Sequence, residues 1–105
     1  MKYVRIAYTL KPEVNRDEAK AAISEFVSAI AAHRPDHRYT SFQSSDNPQE
    51  FIHMGELVED AVADLQSQPF FLKFSQYLHS RCQIPPRVTH LTRVASTSAQ
   101  IAIEK

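Results

Sequence analysis

The sequence predicts a single α+β domain whose elements run β-α-β-β-α-β, and three observations carry that prediction. A chain of 105 residues has room for one hydrophobic core and none for a second that stands alone. Short segments that alternate apolar with polar residues, or concentrate β-forming ones, bracket two longer segments whose apolar residues recur at helical intervals. A cluster of turn formers separates the two middle strand segments.

The opening segment places Val4, Ile6, Tyr8 and Leu10 on one side and Tyr3, Arg5, Ala7 and Thr9 on the other, a strand with one more apolar face. Asn15, three residues before Glu18, starts a helix over residues 16–32 that carries Ala19, Ile23, Phe26, Val27 and Ile30. His33 and Arg34 favour its carboxyl end through the macrodipole, and Pro35 stops it. Residues 38–44 and 50–58 read as a β-hairpin around the five-residue loop 45–49, which contains Asp46, Asn47 and Pro48. Asp60 is expected to cap a short helical piece ending at Leu65. Ser67, with Pro69 in the first turn, is expected to start a second helix carrying Phe70, Phe71, Phe74, Leu78 and Cys82. Pro85 and Pro86 then end that helix, and residues 87–94 alternate as a fourth strand. The order is that of ferredoxin-like folds, a four-stranded antiparallel sheet with helices on one face, over residues 1–97. A tail, residues 98–105, carries Ile101 and Ile103 as a further candidate strand.

Two helices cover one face of such a sheet, yet Tyr3 beside Val4 and Phe51 beside Ile52 make the strands bulky on both. A second copy packed sheet against sheet covers the other face, so a homodimer is expected. Twelve Lys and Arg balance twelve Asp and Glu, which leaves no field to draw the chain onto nucleic acid or anionic lipid. No apolar run reaches the roughly 20 residues of a membrane span, and the first ten residues read as a strand in place of a signal peptide. The lone Cys82 fits a reducing compartment, so a cytoplasmic location is expected.

Leu10-Lys11-Pro12, the hairpin with Asp46-Asn47-Pro48 and Phe51-Ile52-His53, Glu59-Asp60, Ser67-Gln68-Pro69-Phe70-Phe71 and the late Pro85-Pro86 together form a pattern over residues 2–95. In that pattern the chain resembles the dimeric α/β-barrel superfamily, and within it the antibiotic biosynthesis monooxygenase and quinol monooxygenase group. The resemblance implies a dimer that oxidises quinol-like or polycyclic phenolic substrates with dioxygen, with no flavin, haem or metal cofactor. Other relatives degrade haem or have no known activity, so the alternative is a noncatalytic binding or stress-response module. The chain departs from the pattern at Leu65, where many relatives carry a histidine four residues before the proline. It departs again at Phe74, where the haem-degrading branch carries one, which removes the support for haem ligation.

His53 is the candidate catalytic base, an imidazole able to take a phenolic proton near neutral pH. The resemblance also implies a histidine at this place. Tyr8, Tyr39, Met54, Phe71, Phe74 and Tyr77 are the candidate substrate-binding residues, aromatic walls suited to a planar ligand, with Tyr39 or Tyr77 offering a hydrogen bond to a carbonyl or phenolate. The five histidines lack a compact metal-ligand spacing, because Pro35 breaks the helix between His33 and His37, and no metal site is expected. Cys82 continues an apolar stripe and reads as a structural thiol. With Gly55 as the only glycine, a phosphate-cradling glycine-rich loop is excluded. Arg5 and Arg93 read as ion-pair partners across a dimer face, or as anchors for an anionic substrate.

Overall fold

Strands β1 (Lys2–Leu10), β2 (Arg38–Gln43), β3 (Glu50–Leu57) and β4 (Cys82–Leu91) form one antiparallel sheet in the order β2-β3-β1-β4, in a computed structural model that describes residues 1–97. Helix α1 (Arg16–His33) connects β1 to β2, and a 3-10 turn (Glu59–Ala61), the short α2 (Val62–Gln66) and α3 (Pro69–Arg81) connect β3 to β4. The tail's candidate strand at Ile101 and Ile103 lies outside the described residues.

Local chemistry accounts for most boundaries. The Asn15 side-chain oxygen accepts from the amides of Asp17 and Glu18 at 2.9 and 3.1 Å, which satisfies two of the free donors that open α1. After Arg34 the chain turns to extended backbone ahead of Pro35. The hairpin loop is residues 44–49, one longer than expected, because the Ser44 hydroxyl folds back to accept from the amides of Asp46 and Asn47.

Four expectations are corrected. Asp60 lies inside the 3-10 turn and makes no capping bond. Ser67 does not cap α3: its hydroxyl donates to the Asp64 carbonyl at 2.7 Å and closes α2, while Pro69 opens α3 with the dihedral preset for a first turn. Cys82 is outside the helix, as its cap and the first residue of β4. The fourth strand therefore begins five residues before the expected Arg87 and runs through Pro85 and Pro86. The prolines are tolerated because β4 is an edge strand and the pairing slips there: Ala7 pairs Arg87 and Thr9 pairs Ile84, so two prolines face the single Tyr8.

Strand alternation sends Val4, Tyr8, Leu10, Phe51 and Leu57 toward the helices, where Ala19, Ile23, Phe26, Ile30, Phe74 and Leu78 meet them in the core. Phe26 is its hinge point, stacked on Phe74 at 4.3 Å between ring centres and meeting Tyr39 and Phe71 edge-on at 5.6 Å. His37 is also buried, accepting at Nδ1 from the Val58 amide at 3.1 Å and so tying the start of β2 to the end of β3. The opposite face of the sheet carries Ile52, half-buried, and the exposed Phe42, Met54, Ile84 and Leu91, with no helix over them among the described residues. Arg93 pairs with Glu56 within the same chain at 3.0 Å and lies over the Tyr3 ring. Among the described residues no helix is long and apolar enough to cross a membrane.

Truncating Phe26→Ala removes the ring that joins both helices to β2, and the expected loss is about 3–5 kcal/mol, read as a lowered urea midpoint. A loss below about 1 kcal/mol would show that the ring cluster does not anchor the helices.

Candidate active site

Three neighbouring strands each contribute one polar aromatic side chain to the helix-facing side of the sheet. In the β1–β3 register Ile6 pairs His53 and Tyr8 pairs Phe51, and in the β2–β3 register Tyr39 pairs Gly55. Tyr8 and Tyr39 therefore stand diagonally on either side of His53, within reach of its ring. The Tyr8 hydroxyl lies 3.0 Å from His53 Nε2 and the Tyr39 hydroxyl 2.8 Å from Nδ1, so both ring nitrogens are engaged.

Gly55 makes room for this arrangement. A Cβ built there meets Val4 Cγ2 at 3.0 Å and the Tyr39 ring at 3.3 Å, so the strand's lone glycine lets Tyr39 lean over the sheet toward His53. The sequence held a signal for this, since an isolated glycine inside a strand pattern marks close approach.

The group forms the floor of a cavity of about 220 Å³ between sheet and α3. Tyr8, Phe26, Phe74 and Leu78 are its buried walls, while Gln66, Ser75, Pro86 and Val88 are exposed at its mouth. Only 1% of His53 and 1% of Tyr8 is exposed, which decides their ionisation. Burial pushes the His53 imidazole down from 6.5 to about 4, and burial pushes both tyrosine hydroxyls well above their ordinary value of 10, Tyr8 further through the neighbouring Tyr39. At neutral pH the floor is uncharged: one imidazole nitrogen is bare and the other carries hydrogen. His53 lines the cavity, and both of its ring nitrogens are engaged by the two hydroxyls, so a proton passed to or from the ring travels through a tyrosine.

The structure brings Tyr8, Tyr39, Phe71 and Phe74 together with His53. It does not bring Met54, which is one residue from His53 and so points to the uncovered face, 37% exposed. Tyr77 lines a separate shallow groove between α1 and α3, stacked on Phe74 and covered by Arg81 at 4.1 Å. Gln66, Ser75 and Pro86 were missed, since they reach the site from the end of α2, the middle of α3 and a strand bulge, whose relative placement the pattern alone does not locate. Leu65, at the place of the absent histidine, is buried in the core. Phe74 stacks between Phe26 and His53. The Cys82 thiol is half-buried, and burial pushes its pKa up, which favours the protonated form. Among the described residues no three His, Cys, Asp or Glu side chains are grouped to hold a metal ion.

No family model and no curated protein matches the chain. Solved structures do. An antibiotic biosynthesis monooxygenase aligns with a TM-score of 0.77 at 17% identity, over 90% of this chain and 100% of the other. A Mycobacterium tuberculosis protein aligns at 0.74 and 17%, over 92% and 98%. SnoaB, a cofactor-independent oxygenase from Streptomyces nogalater solved as a point mutant, aligns at 0.74 and 16%, over 91% and 95%. The chain thus has the ferredoxin-like α+β fold of antibiotic biosynthesis monooxygenase-like proteins.

The buried neutral imidazole makes stability depend on acid in a defined window. The unfolded chain binds a proton at His53 as pH falls through 6.5 while the folded chain does not until about 4, so stability is full above 6.5 and is lost between those values. The loss attributable to His53 is on the order of 3 kcal/mol. Urea midpoints at pH 7 and pH 4.5 should fall further for the wild type than for His53→Gln, and equal falls would contradict the burial of a neutral ring. Gly55→Ala, which displaces Tyr39, should cost about 1–3 kcal/mol and perturb the near-ultraviolet circular dichroism of the tyrosines. An unchanged spectrum would count against the close approach.

Proposed function

We propose that the chain oxidises a small phenolic or quinol substrate with dioxygen and without a resident cofactor. The observation that carries this reading is the uncharged Tyr8–His53–Tyr39 group on the floor of an aromatic-walled cavity. In such a reaction the protein takes a phenolic proton from the substrate, whose electron-rich ring is then the reductant and dioxygen the oxidant. A substrate hydroxyl donates to a tyrosine oxygen as that tyrosine passes its own hydrogen to the bare imidazole nitrogen, so His53 acts as base through the hydroxyl. The imidazolium formed stands next to the new anion, and the remaining tyrosine hydroxyl donates to that anion, a preorganised stabilisation that apolar walls strengthen. Phe71 and Phe74 give a planar ring its stacking surface. The volume is below the roughly 300–1,000 Å³ of drug-sized sites, which fits a ligand of one or two fused rings. The fold shared with a named cofactor-independent oxygenase supports the same reading.

A second reading, a binding module without catalysis, is favoured by one observation: an imidazole that protonates only near pH 4 is a weak base toward a phenol. We also propose that the chain acts as a homodimer joined through the uncovered sheet face, since Phe42, Met54, Ile84 and Leu91 make it apolar.

Purified protein given a panel of one- and two-ring quinols should consume oxygen, and both His53→Ala and Tyr39→Phe should lower that rate about 100-fold or more. Ligand binding with no uptake above the His53→Ala variant supports the binding module in its place. Met54→Lys should convert a dimer to a monomer in analytical ultracentrifugation; an unchanged sedimentation coefficient removes this face as the interface.

A further inference from the structure

Three hydrogens serve two contacts in the floor of the cavity. A neutral imidazole carries one N–H and one bare nitrogen, and each tyrosine carries one O–H. Each contact, Tyr8 to Nε2 at 3.0 Å and Tyr39 to Nδ1 at 2.8 Å, uses one hydrogen, so one remains. In either tautomer the tyrosine facing the bare nitrogen donates to it and leaves its own oxygen free to accept. The tyrosine facing the N–H accepts from it and keeps its own hydrogen to donate. The two ends exchange these roles when the tautomer changes, and Tyr8 and Tyr39 both line the same 220 Å³ cavity. One small ligand therefore meets an acceptor at one point and a donor at another.

We infer that Tyr8, His53 and Tyr39 form a charge-neutral proton relay that interconverts the keto and enol forms of a small ring ketone held in this cavity. With hydrogen initially on Nε2, a C–H beside the ligand carbonyl gives its proton to the Tyr39 oxygen as Tyr39 passes its hydrogen to Nδ1. Nε2 passes its hydrogen to the Tyr8 oxygen, and Tyr8 passes its own to the carbonyl oxygen. The C–H electron pair becomes the new C=C bond, the carbonyl π pair becomes the new O–H bond, and nothing is oxidised or reduced. The imidazole ends as its other tautomer and resets by running the reverse step or by exchange with solvent once the ligand leaves.

The surroundings favour this ligand class. The walls are aromatic and aliphatic, and among the described residues no Lys, Arg, Asp or Glu lines the cavity, so an ionic ligand finds no counter-charge there. A neutral ring ketone satisfies both hydroxyl ends while stacking on Phe71 and Phe74. The relay also avoids an imidazolium, which the burial of His53 opposes. It rests on the same cavity as the oxygenation reading but needs no oxidant, so the two fail separately.

The test is deuterium incorporation into 2-tetralone in anaerobic D₂O at pH 7, followed by proton NMR. The wild-type protein should accelerate exchange beside the carbonyl about 100-fold over buffer. Tyr8→Phe and Tyr39→Phe, which keep the rings and remove one end each, should return the exchange rate to background while the ligand Kd, read by titration, stays within about threefold. His53→Gln, which retains a donor and an acceptor but cannot pass a proton between them, should do the same, a rate effect that a packing role for His53 does not produce. Wild-type exchange no faster than buffer overturns the relay without reference to any variant, and so does exchange that persists in Tyr39→Phe or His53→Gln. Circular dichroism checks folding; if Tyr8→Phe unfolds, Tyr39→Phe alone decides, because Tyr39 stands at the less buried end. Exchange with no oxygen uptake leaves the relay standing and removes the oxygenation reading alone.

Discussion

The register of β3 between β1 and β2 is the constraint from which the candidate site follows. Pairing Tyr8 with Phe51 and Tyr39 with Gly55 puts three polar aromatic groups on the helix-facing side, where the helices close over them. A slip of one residue would turn His53 to the open face and bring Met54 and Ile52 inward. The hydrogen bonds to both ring nitrogens hold that register as well as profit from it, because a buried imidazole that lost a partner would forfeit the bond and leave a polar atom unsatisfied.

The same burial sets the chemistry. Excluding water makes the imidazole reluctant to accept a proton and the tyrosines reluctant to lose one, so the floor of the cavity stays neutral across the physiological range. Access is set on the other side of the cavity. The prolines of β4 bulge opposite Tyr8, and Pro86 and Val88 form its mouth together with residues of α2 and α3.

Much of the fold was legible locally. Alternation located β1, the Asn15 cap located α1 to within one residue at its end, and the turn residues around Asp46 located the hairpin, because each is a short-range effect of backbone sterics or hydrogen bonding. The start of β4 was not legible. Pro85 and Pro86 read as a stop signal on propensity, and only an edge position with slipped pairing makes them tolerable in a strand. Of the candidate site, His53, Tyr8, Tyr39, Phe71 and Phe74 were named from their residue types, but Met54 and Tyr77 were grouped with them on type alone. Strand period removes Met54, and the rotation of α3 about its axis removes Tyr77.

By itself the sequence determined the approximate extents of most strands and helices and which of their faces are apolar. Those are properties of composition and of neighbours within a few residues. Only the tertiary structure decided that residues 8, 39 and 53 meet in one hydrogen-bonded line, that Gly55 clears the space for it, and that His53 is neutral. The physical reason is that each depends on contacts between strands far apart in the chain and on the exclusion of water they achieve together, and neither is encoded in any short stretch of residues.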